Sequence, residues 1–156
     1  MQIAVLGSDA PALCRKAALD VVCLESVSDA ATRRWDLLAL TQKAARRGLP
    51  AKALSAERLL LPEGVDLPIR AEQAVDYGLS SRNTLTLSSL TGATRLLCLQ
   101  RSLRNLRGEL LEPQELPLSR EFAALDTWQA LFLAGMLIYC RPAGSELELR
   151  SDRKEN

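Results

Sequence analysis

Few side chains in this sequence can do chemistry, and their types narrow what that chemistry is. There is no histidine among the 156 residues. That removes the commonest general base, Ser-His-Asp and Cys-His nucleophile systems, and every histidine-based metal site. The thiols are Cys14, Cys23, Cys98 and Cys140. None forms a Cys-x-x-Cys pair and all sit among apolar neighbours, so buried free thiols in a reducing cytoplasm are expected. Neither a metal ligand set nor a cofactor is assigned.

Gly7, Ser8 and Asp9 form the next candidate. They follow the apolar run Ile3-Ala4-Val5-Leu6 and precede Pro11. A first strand ending in glycine just before a helix is where dinucleotide sites occur. This loop has one glycine rather than three, and the chain has no Gly-Lys-Ser/Thr phosphate loop. A structural turn and a nucleotide site both stay open for these residues. Asp9 repels a phosphate unless it turns inward as a helix cap.

The third candidate is the stretch from Asp76 to Leu90. Tyr77-Gly78 marks a backbone position that needs positive φ or close packing. Arg82 and Asn83 fall at a polar tip. From Thr84 to Ser88 apolar and hydroxyl residues alternate, which predicts a half-buried strand with Thr84, Thr86 and Ser88 on its outer face. Arg95, Arg101, Arg104 and Arg107 then fall in an acid-free segment, and Glu109, Glu112 and Glu115 follow. Each guanidinium is a planar fork suited to carboxylate or phosphate, or else to a solvated rim. Glu112 and Glu115 are expected to pair with Arg101 or Arg104 across a hairpin. The ligand- or partner-binding set is therefore Tyr77, Arg82, Asn83, Thr84, Thr86, Ser88, Arg101 and Arg104.

Composition bounds the partners. Net charge is +1 and aromatics are only 4 %, which argues against nucleic acid. The longest apolar run, Ala130 to Cys140, is too short to cross a bilayer, and no signal-peptide pattern opens the chain. A cytoplasmic location without membrane contact is the expectation.

The elements that position these residues read as α/β. Strands are predicted at Gln2–Gly7, Val22–Ser26 and Leu59–Leu61, with a helix from Ser8-Asp9 through Val21. Residues Asp29 to Arg47 fit either one long helix or helix–strand–helix, with Gly48 and Leu49-Pro50 ending the last turn. Further strands at Ala74–Leu79, Thr84–Leu90, Arg95–Gln100 and Glu109–Leu118 suggest antiparallel hairpins, one of them through Thr91-Gly92. Pro113 and Pro117 mark an edge strand that offers a route to a homodimer. Arg120 to Cys140 reads as a helix that closes the core. One domain over 1–150 is expected, with a small Rossmann-like half at 1–64, a β-rich half at 74–118 and the helix at 120–140. The tail 151–156 is expected to be disordered.

Two resemblances attach to these residues. Tyr77-Gly78 through Ser88-Ser89, with Gln100-Arg101 and Glu112-Pro113-Gln114-Glu115, resembles a family of uncharacterised clostridial proteins, which implies no activity. Val75-Asp76-Tyr77-Gly78, Asn83-Thr84-Leu85-Thr86 and Arg95–Leu99 are similar to a β-rich segment of Mur ligases, which join amino acids to UDP-linked cell-wall precursors. The chain lacks the ATP loop and the length of those enzymes, so this resemblance implies a binding scaffold without ligase chemistry. Taken together, the residues favour a non-enzymatic binding or regulatory module that contacts a protein or small ligand. The alternative is a small enzyme or sensor that takes a nucleotide or nucleotide-sugar at Gly7, Ser8 and Asp9.

Overall fold

The structure is a computed structural model that describes residues 1–47, 54–65, 69–89 and 95–150. Gly48 and Leu49-Pro50, Leu90, the Thr91-Gly92 turn and the tail 151–156 lie outside the described residues.

The sequence begins as a doubly wound sheet. Strand β1 (Ile3–Leu6) leads to α1 (Ala10–Lys16), β2 (Val22–Leu24), α2 (Val27–Ala30), β3 (Trp35–Leu40), α3 (Gln42–Arg46) and β4 (Leu54–Pro62). The ambiguous stretch from Asp29 to Arg47 is thus helix–strand–helix. Two parallel neighbours settle it: β3 pairs with β1 on one side and β4 on the other. Its last four residues, Leu37 to Leu40, are then covered on both faces and read as a continuous apolar run for that reason, while Asp36 near its start stays half-buried. Ser26 rather than Asp29 caps α2, accepting from the Asp29 amide at 3.2 Å.

The remaining elements are β5 (Ile69–Tyr77), β6 (Leu85–Ser89), β7 (Arg95–Leu99), β8 (Leu103–Arg104), β9 (Leu110–Leu111), β10 (Gln114–Pro117) and α4 (Thr127–Cys140). The main sheet has eight strands in the order β10-β7-β6-β5-β4-β3-β1-β2, and β8 pairs with β9 in a separate two-stranded sheet. From β2 to β6 the pairs are parallel. The β6–β7 and β7–β10 pairs are antiparallel. The expected hairpin around Gly78–Asn83 is therefore corrected: β5 and β6 run the same way and meet only where Tyr77 faces Leu85. The single edge strand expected over Glu109–Leu118 divides at Pro113 into β9, which pairs with β8, and β10, which forms an edge of the main sheet.

Both faces of the sheet are covered at its parallel end, and one face at its antiparallel end. On the first face, Val5, Leu37, Ala39, Leu60, Val75, Leu85 and Leu97 pack under α1 and α4. The second face buries Ala4, Leu6, Leu38, Leu40 and Leu59 with Val27, Ala30 and Ala44 of α2 and α3. Helix α4 is buried continuously from Ala130 to Tyr139, and a helix apolar on all sides has to be a core helix. The expected helix from Arg120 divides into a 3-10 turn (Arg120–Ala124) and α4, because Asp126 and Gln129 form a capping box that starts a new helix. The carboxyl end returns to α1: the Arg150 amide donates to Lys16 O at 2.7 Å, and the Arg141 guanidinium donates to Ala17 O at 3.2 Å. No helix among the described residues is long and apolar enough to cross a membrane.

Gly135 sets the distance between α4 and the sheet. A Cβ there would lie 3.0 Å from Leu60 Cδ2 and 3.1 Å from Leu85 Cδ1. Gly135→Leu is expected to lower stability by about 1–3 kcal/mol through overpacking. In urea unfolding this appears as a lower midpoint with an unchanged slope.

Candidate functional site

The order β2-β1-β3 means that the chain leaves β1 in one direction and later returns to the other side of it. In open α/β sheets this reversal opens a crevice beyond the carboxyl ends of the strands. Here the crevice is a cavity of about 300 Å³.

Its wall begins at Thr41, the residue after β3. The Thr41 amide donates to Leu6 O of β1 at 3.1 Å. Its hydroxyl donates to Asp9 Oδ1 at 2.7 Å and accepts from the Ala44 amide at 3.2 Å, capping α3. Asp9 stands at the start of α1, yet its side chain makes no cap bond there. It does turn inward, but toward Thr41. Gly7 is required at this point: its φ is +152°, and a Cβ would run into Thr41 Oγ1.

The other parts come from α1, α3 and α4. Lys43 and Arg46 are one turn apart on α3 and both line the cavity. Neither makes an ion pair among the described residues. Leu13, Trp128 and Phe132 supply the apolar wall, and Gln42 and Gln129 supply amides. Asp126 is on the rim with Oδ1 held by the Gln129 amide at 2.8 Å. Tyr77 supports the wall from behind. Its ring meets Trp128 and Phe132 edge-on, each at 6.3 Å between centroids. Its hydroxyl donates to Leu40 O at 2.7 Å. Burial, reinforced by the Asp9 charge, pushes the phenol pKa up and keeps it protonated.

Two cations that make no ion pair among the described residues, in a cavity with an aromatic wall, can bind an anionic ligand with a flat apolar part, although Asp9 and Asp126 line the same cavity. The carboxylates of Asp9 and Asp126 on the same lining each accept an internal hydrogen bond, Asp9 from Thr41 and Asp126 from the Gln129 amide.

The sequence candidates divide on this geometry. Gly7 and Asp9 build the β1 end of the crevice, with exposed Ser8 between them. Tyr77, Asn83 and Thr84 are corrected as surface residues, because all three are buried. Asn83 Nδ2 donates to Glu63 Oε2 at 3.0 Å, and the Thr84 amide and hydroxyl both donate to Asp76 Oδ1 at 2.8 Å. Gly78 is needed for close packing against Asn83 and Glu63. Thr86 and Ser88 are half-buried on the uncovered sheet face. Arg82 is exposed, and its carbonyl accepts from Arg101 at 2.9 Å.

The arginines do not form one face. Arg95 at the start of β7 donates to Phe122 O and Leu125 O, and Arg101 lies past its other end. Arg104 donates to Gly108 O across the β8–β9 turn. Glu112 and Glu115 pair with neither Arg101 nor Arg104 among the described residues. The thiols also differ from expectation: Cys14 is buried, Cys98 and Cys140 are half-buried, and Cys23 is exposed on the short edge strand β2. Lys43, Arg46, Asp126, Trp128 and Gln129 were not singled out as site residues by sequence reasoning. The available signal was the pair of polar residues, Asp9 and Thr41, just past two apolar strands.

No family model matches the chain, and neither curated proteins nor solved structures yield a match.

Two substitutions test the frame of the crevice. Gly7→Ala is expected to cost about 1–3 kcal/mol, because it combines a rare backbone angle with a clash at Thr41. Tyr77→Phe removes the partner of the Leu40 carbonyl and is expected to cost about 1–3 kcal/mol. Urea unfolding measures both, and wild-type midpoints would show that the frame does not depend on these contacts.

Proposed function

We propose that the protein is a small-molecule binding module whose ligand sits beyond the carboxyl ends of β1 and β3. Nucleotides and nucleotide-sugars are the ligand class, with their phosphates at Lys43 and Arg46 and the base against Trp128. The observation that carries the reading is the cavity at the strand-order reversal, lined by two cations without an ion pair among the described residues and by Trp128 and Phe132. Supporting it, the strand order 2-1-3-4-5 is the order of flavodoxin-like doubly wound sheets, a group close to the Rossmann-like arrangement, whose ligand lies at the β1/β3 reversal. The cavity volume falls at the small end of the usual range for ligand sites, which suits a single nucleotide.

A second reading has its own support. Thr86 and Ser88 line a half-exposed sheet face that no helix among the described residues covers, with Arg82 and Arg101 at its loop end. That surface suits a protein partner.

A thermal-shift series against mononucleotides, dinucleotides and UDP-sugars separates the two. Ligand at a hundred times its dissociation constant adds about 2.7 kcal/mol, a rise of several degrees at this size. The rise is expected for the wild type and absent in Lys43→Ala/Arg46→Ala, whose unliganded Tm stays the same because both side chains are exposed. A rise that survives the double substitution, or a flat series, rejects the pocket and leaves the Thr86–Ser88 face.

A further inference from the structure

Cys14 and Cys23 play no part in the pocket, but the fold brings them together. Cys23 is the middle residue of β2 and pairs with Val5 of β1. Paired neighbours in a sheet point to the same face. Val5 belongs to the cluster that holds Ala10, Leu13, Cys14 and Ala17 of α1. The register therefore turns Cys23 toward α1 and the side on which Cys14 packs, and each thiol shifts the titration of the other.

The two thiols differ in access. Cys14 is 3 % exposed, while Cys23 is open to solvent. Strand β2 has three residues and is hydrogen-bonded on one side only, so it shifts more readily than an interior strand. No group of three or more acidic, cysteine or histidine side chains among the described residues can hold a metal ion. The arrangement is one exposed thiol resting on one buried thiol across an edge.

We propose that Cys14 and Cys23 are a disulfide-forming pair, in which Cys23 meets the oxidant and Cys14 resolves it. The oxidant is a hydroperoxide. The Cys23 thiolate attacks the terminal peroxide oxygen, the O–O bond breaks, and the alkoxide takes a proton from water to leave as an alcohol. Cys23 becomes a sulfenic acid. Cys14 sulfur then attacks the Cys23 sulfur, the S–O bond breaks, and the hydroxyl leaves as water with the proton of the Cys14 thiol. Two thiols lose two electrons in total, and the peroxide is reduced to one alcohol and one water.

The pair is slow at neutral pH. Partial burial pushes the Cys23 thiol above its ordinary value, against the pull of the Cys14 thiol and then of Arg15, and burial pushes Cys14 up to about 12. Reaction needs the thiolate, so the rate is expected to rise about tenfold per pH unit between about pH 7 and pH 8.5.

The test uses the reduced protein with hydrogen peroxide at alkaline pH, followed by alkylation in denaturant and trypsin. Cleavage at Arg15, Lys16 and Arg33 places the two thiols on separate peptides. The expected product is Met1–Arg15 joined to Ala17–Arg33, released by dithiothreitol. Cys23→Ser changes an exposed side chain, keeps the fold and abolishes the link, whereas Cys98→Ser and Cys140→Ser leave its yield within about twofold. Three results overturn the proposal: Cys14 alkylated in full after oxidation, Cys14 joined to Cys140, or Cys23 joined to Cys23 of a second copy.

Discussion

The carboxyl ends of β1 and β3 are held together by one residue. The Thr41 hydroxyl donates to Asp9 and accepts from the Ala44 amide, and the Thr41 amide donates to Leu6 O of β1. Buried polar networks stabilise only when every member is satisfied. From this follow the glycine at position 7, the inward turn of Asp9, and the position of α3 with its two cations. Tyr77 extends the same frame by one layer. Its hydroxyl is anchored to the residue before Thr41, and its ring braces the aromatic wall. The crevice is therefore preorganised by contacts within its own wall, between Thr41 and Asp9, and by Tyr77 behind that wall.

The two ends of the sheet solve different packing problems. At the parallel end both faces are buried, so β3 is apolar from Leu37 to Leu40 and shows no alternation there. At the antiparallel end only one face is buried. There Leu85 is buried and Leu97 is paired with Leu87, while Thr86 and Ser88 alternate onto the wet face. The long β4–β5 pair, in register from Leu54 with Ile69 to Pro62 with Tyr77, joins the two regimes.

Legibility in the sequence follows the same division. The strand ending at Gly7, the wet face of β6 and the edge character of β10 are all local signals: an apolar run with a glycine stop, a period of two, a pair of prolines. Trp35 to Gln42 fits two periods equally well, and only partners from β1 and β4 choose between them. The direction of β5 against β6 was misread because a short polar turn normally makes a hairpin. Here Glu63 and Asp76 tie down Asn83 and Thr84 instead, and the chain resumes its former direction. The pocket was the least legible feature. Its cations and its aromatic wall are some eighty residues apart in sequence, and no spacing rule joins them.

The return of the carboxyl end to α1 bears on how the chain is made. Residues 141 and 150 hydrogen-bond to residues 16 and 17, and α4 covers the face on which α1 also packs. During synthesis, β1, α1 and β3 leave the ribosome long before the helix that buries their apolar side. Until residues 127–150 follow, Val5, Leu13 and Leu37 lack the α4 side of their cover. The amino-terminal half therefore reaches its packed state only once α4 and the segment after it are available to close that face.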